Sequence, residues 1–498
     1  MPTLEDARVT ARDRHRSGPR WWPDALLLAL GALLVRLPAY FAPTNLGYDD
    51  GGYGLAAIAM REGYQPYRDI FSSQGPLFLP LVHLADLLGL QTLDAPRLLA
   101  VTAGMVSTVA VYVAGSELLD RGRALLAGAL TATSGVLLWT TGPITGDGPA
   151  AAFATSAVAV ALAYRRSPTR AKAVAVGLLI GAAVAVKSLL VGPAILVAWL
   201  LVLQRRRIVD VVVVPVLAFA LLVLVSIPWG IGNVVHDNIQ YHLDKTGDRR
   251  PGANALKLVT TFFRRDTPLL AIGAVGAVAL VVTRLRGRTT NPETAPPARR
   301  PPLLDRLLDG TRILWWWAGS VVVVLLLQDP MFRNHLAALV APLALLVATI
   351  RPSWPLVAVA WAVTLPFQVV QLQPLLYPHD YRGHDAVVVE RLRALPPDAW
   401  VLTDEPGPVW RSDLATDPFF VDPSELRTLP GQGASIAITE DRLVEAAAQA
   451  RVCAVVVNSD RRFGSFTDLP ERLVELGYEQ VASFGGTRGV YVRDCDVR

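Results

Sequence analysis

Long apolar runs, each bounded by charges or prolines, fill the chain from about residue 24 to residue 376. A helix needs about 20 residues to cross about 30 Å of hydrocarbon. Runs at 24–42, 97–119, 123–141, 149–163, 209–228, 268–283, 312–328, 335–350 and 354–372 approach that length. The run 173–203 has basic clusters at both ends, which predicts a hairpin of two short arms turning at SLLVGP, with Lys187 near its tip. Segment 76–90, PLFLPLVHLADLLGL, is short and carries His83 and Asp86, so it predicts a helix lying along the surface. The pattern as a whole predicts about eleven crossings.

Basic residues fix the expected sidedness. Clusters at 121–123, 165–172, 204–207 and 284–312 belong in the cytoplasm, as does the polar, basic tail 1–23 ahead of a retained first span. The outer face then receives the first loop, 43–96, the turn TGPITGDGP with Asp147, the Lys187 tip, and QDPMFRNHL with Arg333 and His335. Proline and charge mark 284–311 as an unstructured cytoplasmic linker. The long loop after residue 228 carries Lys245, Arg249, Arg250, Lys257, Arg264 and Arg265, which are either solvated or turned toward an anionic ligand. Past about Tyr377 the pattern changes. DAWVLTDEP, RVCAVVVNSD and GVYVRDC read as strands and DRLVEAAAQA and LPERLVELGY as helices, predicting an outer α/β domain over 377–498. Its Cys453 and Cys495, the two cysteines of the chain, are either a disulfide or two buried thiols.

Composition agrees with this pattern. With 52% hydrophobic and 18% charged residues and a mean hydropathy of +0.38, the chain reads as an α-helical polytopic membrane protein with a C-terminal extracytoplasmic α/β domain. The net charge of +5 sits in short loops between apolar runs, which argues against a nucleic-acid partner and for orientation in lipid.

Topology thus gathers Asp49, Asp50, Asp69, Asp147, Lys187, Arg333 and His335 on one side. Carboxylates beside cations at a membrane surface suit glycosyl transfer, in which a base takes the acceptor proton and cations hold a departing phosphate. No P-loop or dinucleotide fingerprint accompanies them, in keeping with a lipid-linked donor. The stretch YDDGGYGLAAIAMREGYQPYRDIFSSQGPLFLPL, then TGDGPAAAF, VKSLLVGP and RNHLAALVAPLALL, resembles in order the outer-face motifs of the GT-C superfamily of membrane glycosyltransferases. It resembles in particular the large group related to protein O-mannosyltransferases and the bacterial aminoarabinose transferase of lipid A.

The resemblance implies a polyprenyl-phosphate sugar as donor and a glycan, protein or lipid as acceptor. It makes Asp49 the catalytic base, with Asp50 and Asp147 shaping the site and Lys187, Arg333 and His335 contacting the lipid phosphate. Many relatives carry Lys where this chain has Gln74, which can hydrogen-bond a phosphate or a hydroxyl but cannot neutralise charge. Paired acids near a phosphate are also compatible with a divalent cation. Plainer readings stand beside these. Asp49 and Asp50 suit a helix N-cap, Asp147 suits a Gly-Asp-Gly-Pro turn, Lys187 can snorkel, and Arg333 and His335 can meet headgroups. Asp69 is expected to order the first loop, and Trp315, Trp316 and Trp317 to form an interfacial belt. A single base without a second carboxylate as nucleophile implies inversion. A flippase of lipid-linked sugars or an inactive scaffold are the alternative functions.

Overall fold

The computed structural model describes residues 21–188, 191–205, 207–244, 251–286, 310–328, 330–350, 354–427 and 436–495. Most of the basic N-terminal tail, Lys245, Arg249, Arg250 and residues 287–309 of the linker lie outside them. Helices follow the apolar runs because, without water, a backbone must satisfy its own hydrogen bonds. They span Trp21–Tyr40, Leu98–Leu118, Asp147–Arg166, Arg170–Val186, Gly192–Leu203, Ile208–Ser226, Thr267–Arg286, Arg312–Leu327, Ala337–Thr349 and Trp354–Gln371. Among the described residues, four segments are long and apolar enough to cross a membrane unaided, and a bent pair makes a fifth. Four or five segments therefore meet the length and hydropathy of a crossing among the described residues, with five shorter apolar helices beside them, and the expected count of eleven is not confirmed. The most apolar, Ile208–Trp229, has a mean hydropathy of 3.0, and only 11% of its window is buried, so it presents an apolar face that hydrocarbon tolerates and water does not.

The expected span 123–141 is broken. Helices Arg121–Ala132 and Gly135–Thr141 meet at 55°, and the break frees backbone groups that must find partners. Arg36, fully buried in the first helix, donates to the carbonyl of Ala132 at 3.2 Å and to the Thr141 hydroxyl at 2.8 Å. Gln368 donates to the Thr133 carbonyl at 2.8 Å. Asp266 accepts from the Gly135 and Val136 amides and the Ser134 hydroxyl, capping the second half from a distant segment. The break shortens this half-span and delivers the following turn, with Asp147, to the end of the bundle where the first loop lies.

In the first loop, the predicted surface helix is Phe78–Leu88, and a second helix, Tyr48–Arg61, begins at the paired aspartates. Asp69 orders the loop as expected, accepting the Gln65 amide at 2.8 Å. Beyond Tyr377 the chain builds a four-stranded sheet in the order β1 (Trp400–Thr403), β2 (Val452–Val457), β4 (Arg488–Val492), β3 (Glu479–Gly485). β1 and β2 are parallel and the other pairings antiparallel. Cys453 and Cys495 are joined in a disulfide. Of the three tryptophans, Trp315 and Trp316 are exposed as a belt requires, whereas Trp317 is buried in the helical core.

A buried ion pair locks these parts together. Asp50 and Arg97, both fully buried, meet at 2.6 Å. Arg97 also donates to the carbonyls of Ala42 and Thr44 and stacks 4.9 Å from the Trp410 ring, while Asp50 accepts the amides of Leu46 and Ile144. Glycines let the sheet domain approach. A Cβ on Gly51 would lie 2.4 Å from the Gly407 nitrogen, and one on Gly54 2.2 Å from the Trp410 ring. The DDGGYG motif is therefore a docking surface for helix Pro406–Arg411 as well as a carrier of charge.

Removing one partner of a buried pair strands the other, so Arg97→Met is expected to cost about 3–5 kcal/mol of folding stability. The Asp50→Leu/Arg97→Met double variant is expected to recover much of that loss. Denaturant unfolding in detergent micelles checks both; a single variant as stable as wild type contradicts the assignment.

Candidate functional site

The sequence that makes Asp50 structural leaves Asp49 free. Successive helical residues project about 100° apart, so the two carboxylates point in different directions. Asp50 has both oxygens occupied inside the protein. Asp49 accepts no side-chain hydrogen bond from any described residue and opens on a small cavity. Tyr48, Tyr53, Phe71, Val421 and Asp422 line that cavity with it. Burial pushes the Asp49 carboxyl up to about 6; Lys187 opposes the shift, and the charges of Asp147, Asp422 and Asp50 add to it. Burial holds the Tyr48 and Tyr53 hydroxyls well above their usual range, so both remain protonated.

Lys187 caps the C-terminal end of helix Arg170–Val186, and Asp147 opens helix Asp147–Arg166, where the helix dipole favours a negative charge. The two meet at 2.9 Å with side chains 15% and 3% exposed. The closing motif of the first loop brings Gln74 to them. The Gly75 and Leu77 amides donate to the carbonyls of Val186 and Ala185, directly before Lys187, and glycine is required there because a Cβ on Gly75 would lie 2.3 Å from the Ala185 carbonyl oxygen. Gln74 Oε1 then lies over Gly146, where a Cβ would come within 2.7 Å.

A second cavity is lined by Asp147 and Lys187 together with small and apolar side chains, among them Ala150, Ala154, Ala194, Trp317 and Ala338. Spacings of three and four place Ala150 and Ala154 on one face of the Asp147–Arg166 helix, and their small size opens the groove. His335 is buried within electrostatic reach of Lys187 and Asp147. Arg333 is exposed, two residues away, and within electrostatic reach of Lys257 and Arg265.

The structure thus brings together Asp49, Gln74, Asp147, Lys187 and His335, sets Arg333 at the rim, and turns Asp50 away into its ion pair. Among the described residues no group of three or more His, Cys, Asp or Glu side chains is arranged to hold a metal ion. Sequence reasoning missed Asp422, Tyr48 and Trp317. Asp422 comes from the sheet domain, nearly 375 residues from its partner Tyr48, and only the tertiary fold reveals it. The alanine face of DGPAAAFATSA was a readable signal for the groove.

Residues 73–231 match the family model described as dolichyl-phosphate-mannose-protein mannosyltransferase. No curated protein sequence matches the chain. The fold is similar to that of ArnT from Cupriavidus metallidurans bound to undecaprenyl phosphate, with a TM-score of 0.61 at 15% identity over 94% of this chain and 97% of that one. The apo state of the same protein gives 0.60 at 14% identity over the same shares. The Archaeoglobus fulgidus oligosaccharyltransferase tethered to an acceptor peptide gives 0.50 at 15% identity, over 96% of this chain and 75% of that one. The chain shares the fold of these structures, and the resemblance to the GT-C superfamily is borne out at that level.

Proposed function

We propose that the protein is an inverting membrane glycosyltransferase that moves a hexosyl or pentosyl unit from a polyprenyl phosphate to an acceptor on the extracytoplasmic side of the cytoplasmic membrane. The observation that carries this reading is the unpaired Asp49 carboxylate facing one cavity while the Asp147–Lys187 pair opens a second, apolar one. The relative named above with undecaprenyl phosphate bound supports a polyprenyl lipid as the occupant of the apolar groove.

In the reaction so proposed, an acceptor hydroxyl oxygen attacks the anomeric carbon of the sugar from the face opposite the phosphate. Asp49 takes the hydroxyl proton as the new C–O bond forms. The bond between the anomeric carbon and the phosphate oxygen breaks, and its electron pair leaves with the polyprenyl phosphate. Lys187 then exchanges part of its contact with Asp147 for the developing phosphate charge, a stabilisation stronger in the transition state than in the ground state. His335 and Gln74 offer hydrogen bonds at the same place, and Arg333 offers charge at the rim. Asp50 is a positioning residue, holding the turn before Asp49 and, through Ile144, the turn before Asp147.

Two expectations follow for enzyme in nanodiscs supplied with radiolabelled polyprenyl phosphate sugars. The base must be ionised in the free enzyme, so kcat/KM is expected to be flat above and to fall tenfold per pH unit below about pH 6, the value to which burial raises Asp49. Asp49→Asn is expected to lower kcat by about 10²–10⁴-fold with little change in lipid retention. Undiminished transfer by Asp49→Asn, or an acid limb near the ordinary carboxylate value, contradicts this role. Lys187→Gln is expected to weaken retention of undecaprenyl phosphate by about tenfold or more, read by native mass spectrometry; equal retention contradicts the phosphate assignment.

A further inference from the structure

The cavity at Asp49 is closed from above by the sheet domain, through Val421 and Asp422. Its walls carry two kinds of group. The rings of Tyr48, Tyr53 and Phe71 supply flat apolar surface, and Asp49 and Asp422 supply carboxylate oxygens, which can only accept hydrogen bonds. Asp422 is held in place rather than consumed. Its Oδ1 accepts the Tyr48 hydroxyl and the Ser424 amide, each at 3.0 Å, and its second oxygen accepts from no described residue. The Tyr48 ring is itself fixed under the Arg462 guanidinium at 4.2 Å.

Two more acceptors stand without donors. Gln74 Oε1 and Asp147 Oδ1 have no hydrogen-bond partner, and their residues are 9% and 4% exposed. Gln74 lies between the two neighbourhoods: its side chain is within interaction reach of the Tyr53 hydroxyl on one side and lies over Gly146, next to Asp147, on the other. Buried acceptors left without donors cost about 1–3 kcal/mol each, so this arrangement calls for a ligand rich in hydrogen-bond donors. A peptide backbone brings as many carbonyl acceptors as N–H donors and would set carbonyls against carboxylates. An acyl chain brings none. A sugar ring brings a hydroxyl on most of its carbons, each able to donate, and C–H faces for the aromatic walls.

Resting on the glycosyltransferase reading, we infer that the acceptor group is a sugar hydroxyl: the cavity between Asp49 and Asp422 is a glycan-acceptor site, and Asp422, supplied by the C-terminal domain, is a specificity residue in it. The Tyr48–Asp422 bond makes this site a joint product of the first loop and the sheet domain.

The test is direct binding to the full chain in nanodiscs, without any donor, by saturation-transfer NMR. The probes are methyl α-mannopyranoside, methyl α-arabinofuranoside and a short Ser/Thr peptide, with octyl mannoside as an arm that a glycolipid-type acceptor would favour over a soluble glycan end. A glycoside is expected to bind wild type, with affinity about tenfold lower in Asp422→Asn, where an amide donor replaces one acceptor oxygen. Tyr48→Phe, which keeps the ring and frees Asp422, is expected to weaken binding several-fold and serves where Asp422→Asn does not fold. Binding of the peptide but of no glycoside, or wild-type glycoside affinity in both variants, overturns the proposal. Undecaprenyl phosphate retention, measured in parallel, separates the two readings. Failed glycoside binding with Lys187-dependent lipid retention sinks the glycan site alone, whereas failed lipid retention with glycoside binding intact sinks the donor assignment instead.

Discussion

The buried ion pair between Asp50 and Arg97 is the constraint on which the rest of the site depends. Taking two charges out of water is costly, and their attraction repays it only where the geometry is close and the remaining lone pairs and protons are used. Here they are used: Arg97 holds two carbonyls of the turn after the first helix, and Asp50 holds one amide before its own helix and one before the Asp147 turn. The Trp410 ring covers the guanidinium from the sheet domain. First loop, half-span turn and C-terminal domain thereby meet at one point, and the next residue along the helix surface, Asp49, is aimed where they enclose a cavity.

From that fixed point the chemistry divides. Asp49 is buried with its charge uncompensated by any direct partner, which suits a base; Asp147 is buried with a direct partner and holds Lys187 in place. Each of the two cavities is lined by at least one carboxylate, and Gln74 lies close to residues of both. Gln74, a neutral amide, brings that place an acceptor and no cation.

Much of this was legible in the sequence. The apolar runs gave the helices 21–40, 98–118, 208–226 and 354–371 nearly to the residue, and the two short helices on either side of the SLLVGP stretch. Basic clusters, with the order of the outer-face motifs, were enough to group Asp49, Asp147, Lys187 and His335. What was not legible depends on long-range contacts. Asp49 and Asp50 are alike in local sequence, and only Arg97 distinguishes them. The broken span reads as one run because Arg36, Gln368 and Asp266, which satisfy its break, lie far away in the chain. Trp317 has the same neighbours in sequence as Trp315 and Trp316, yet helix rotation turns it inward. Asp422 lies in a loop of the sheet domain with no motif to mark it.

The central claim is that one carboxylate drives a single displacement at the sugar's anomeric carbon, and product stereochemistry tests it most directly. Transfer in nanodiscs from a polyprenyl phosphate sugar of known anomeric configuration, with the product linkage assigned by NMR, is expected to give the opposite anomer. A product that keeps the donor's configuration would contradict the account, because it would require a covalent intermediate or a front-face path in place of the single displacement.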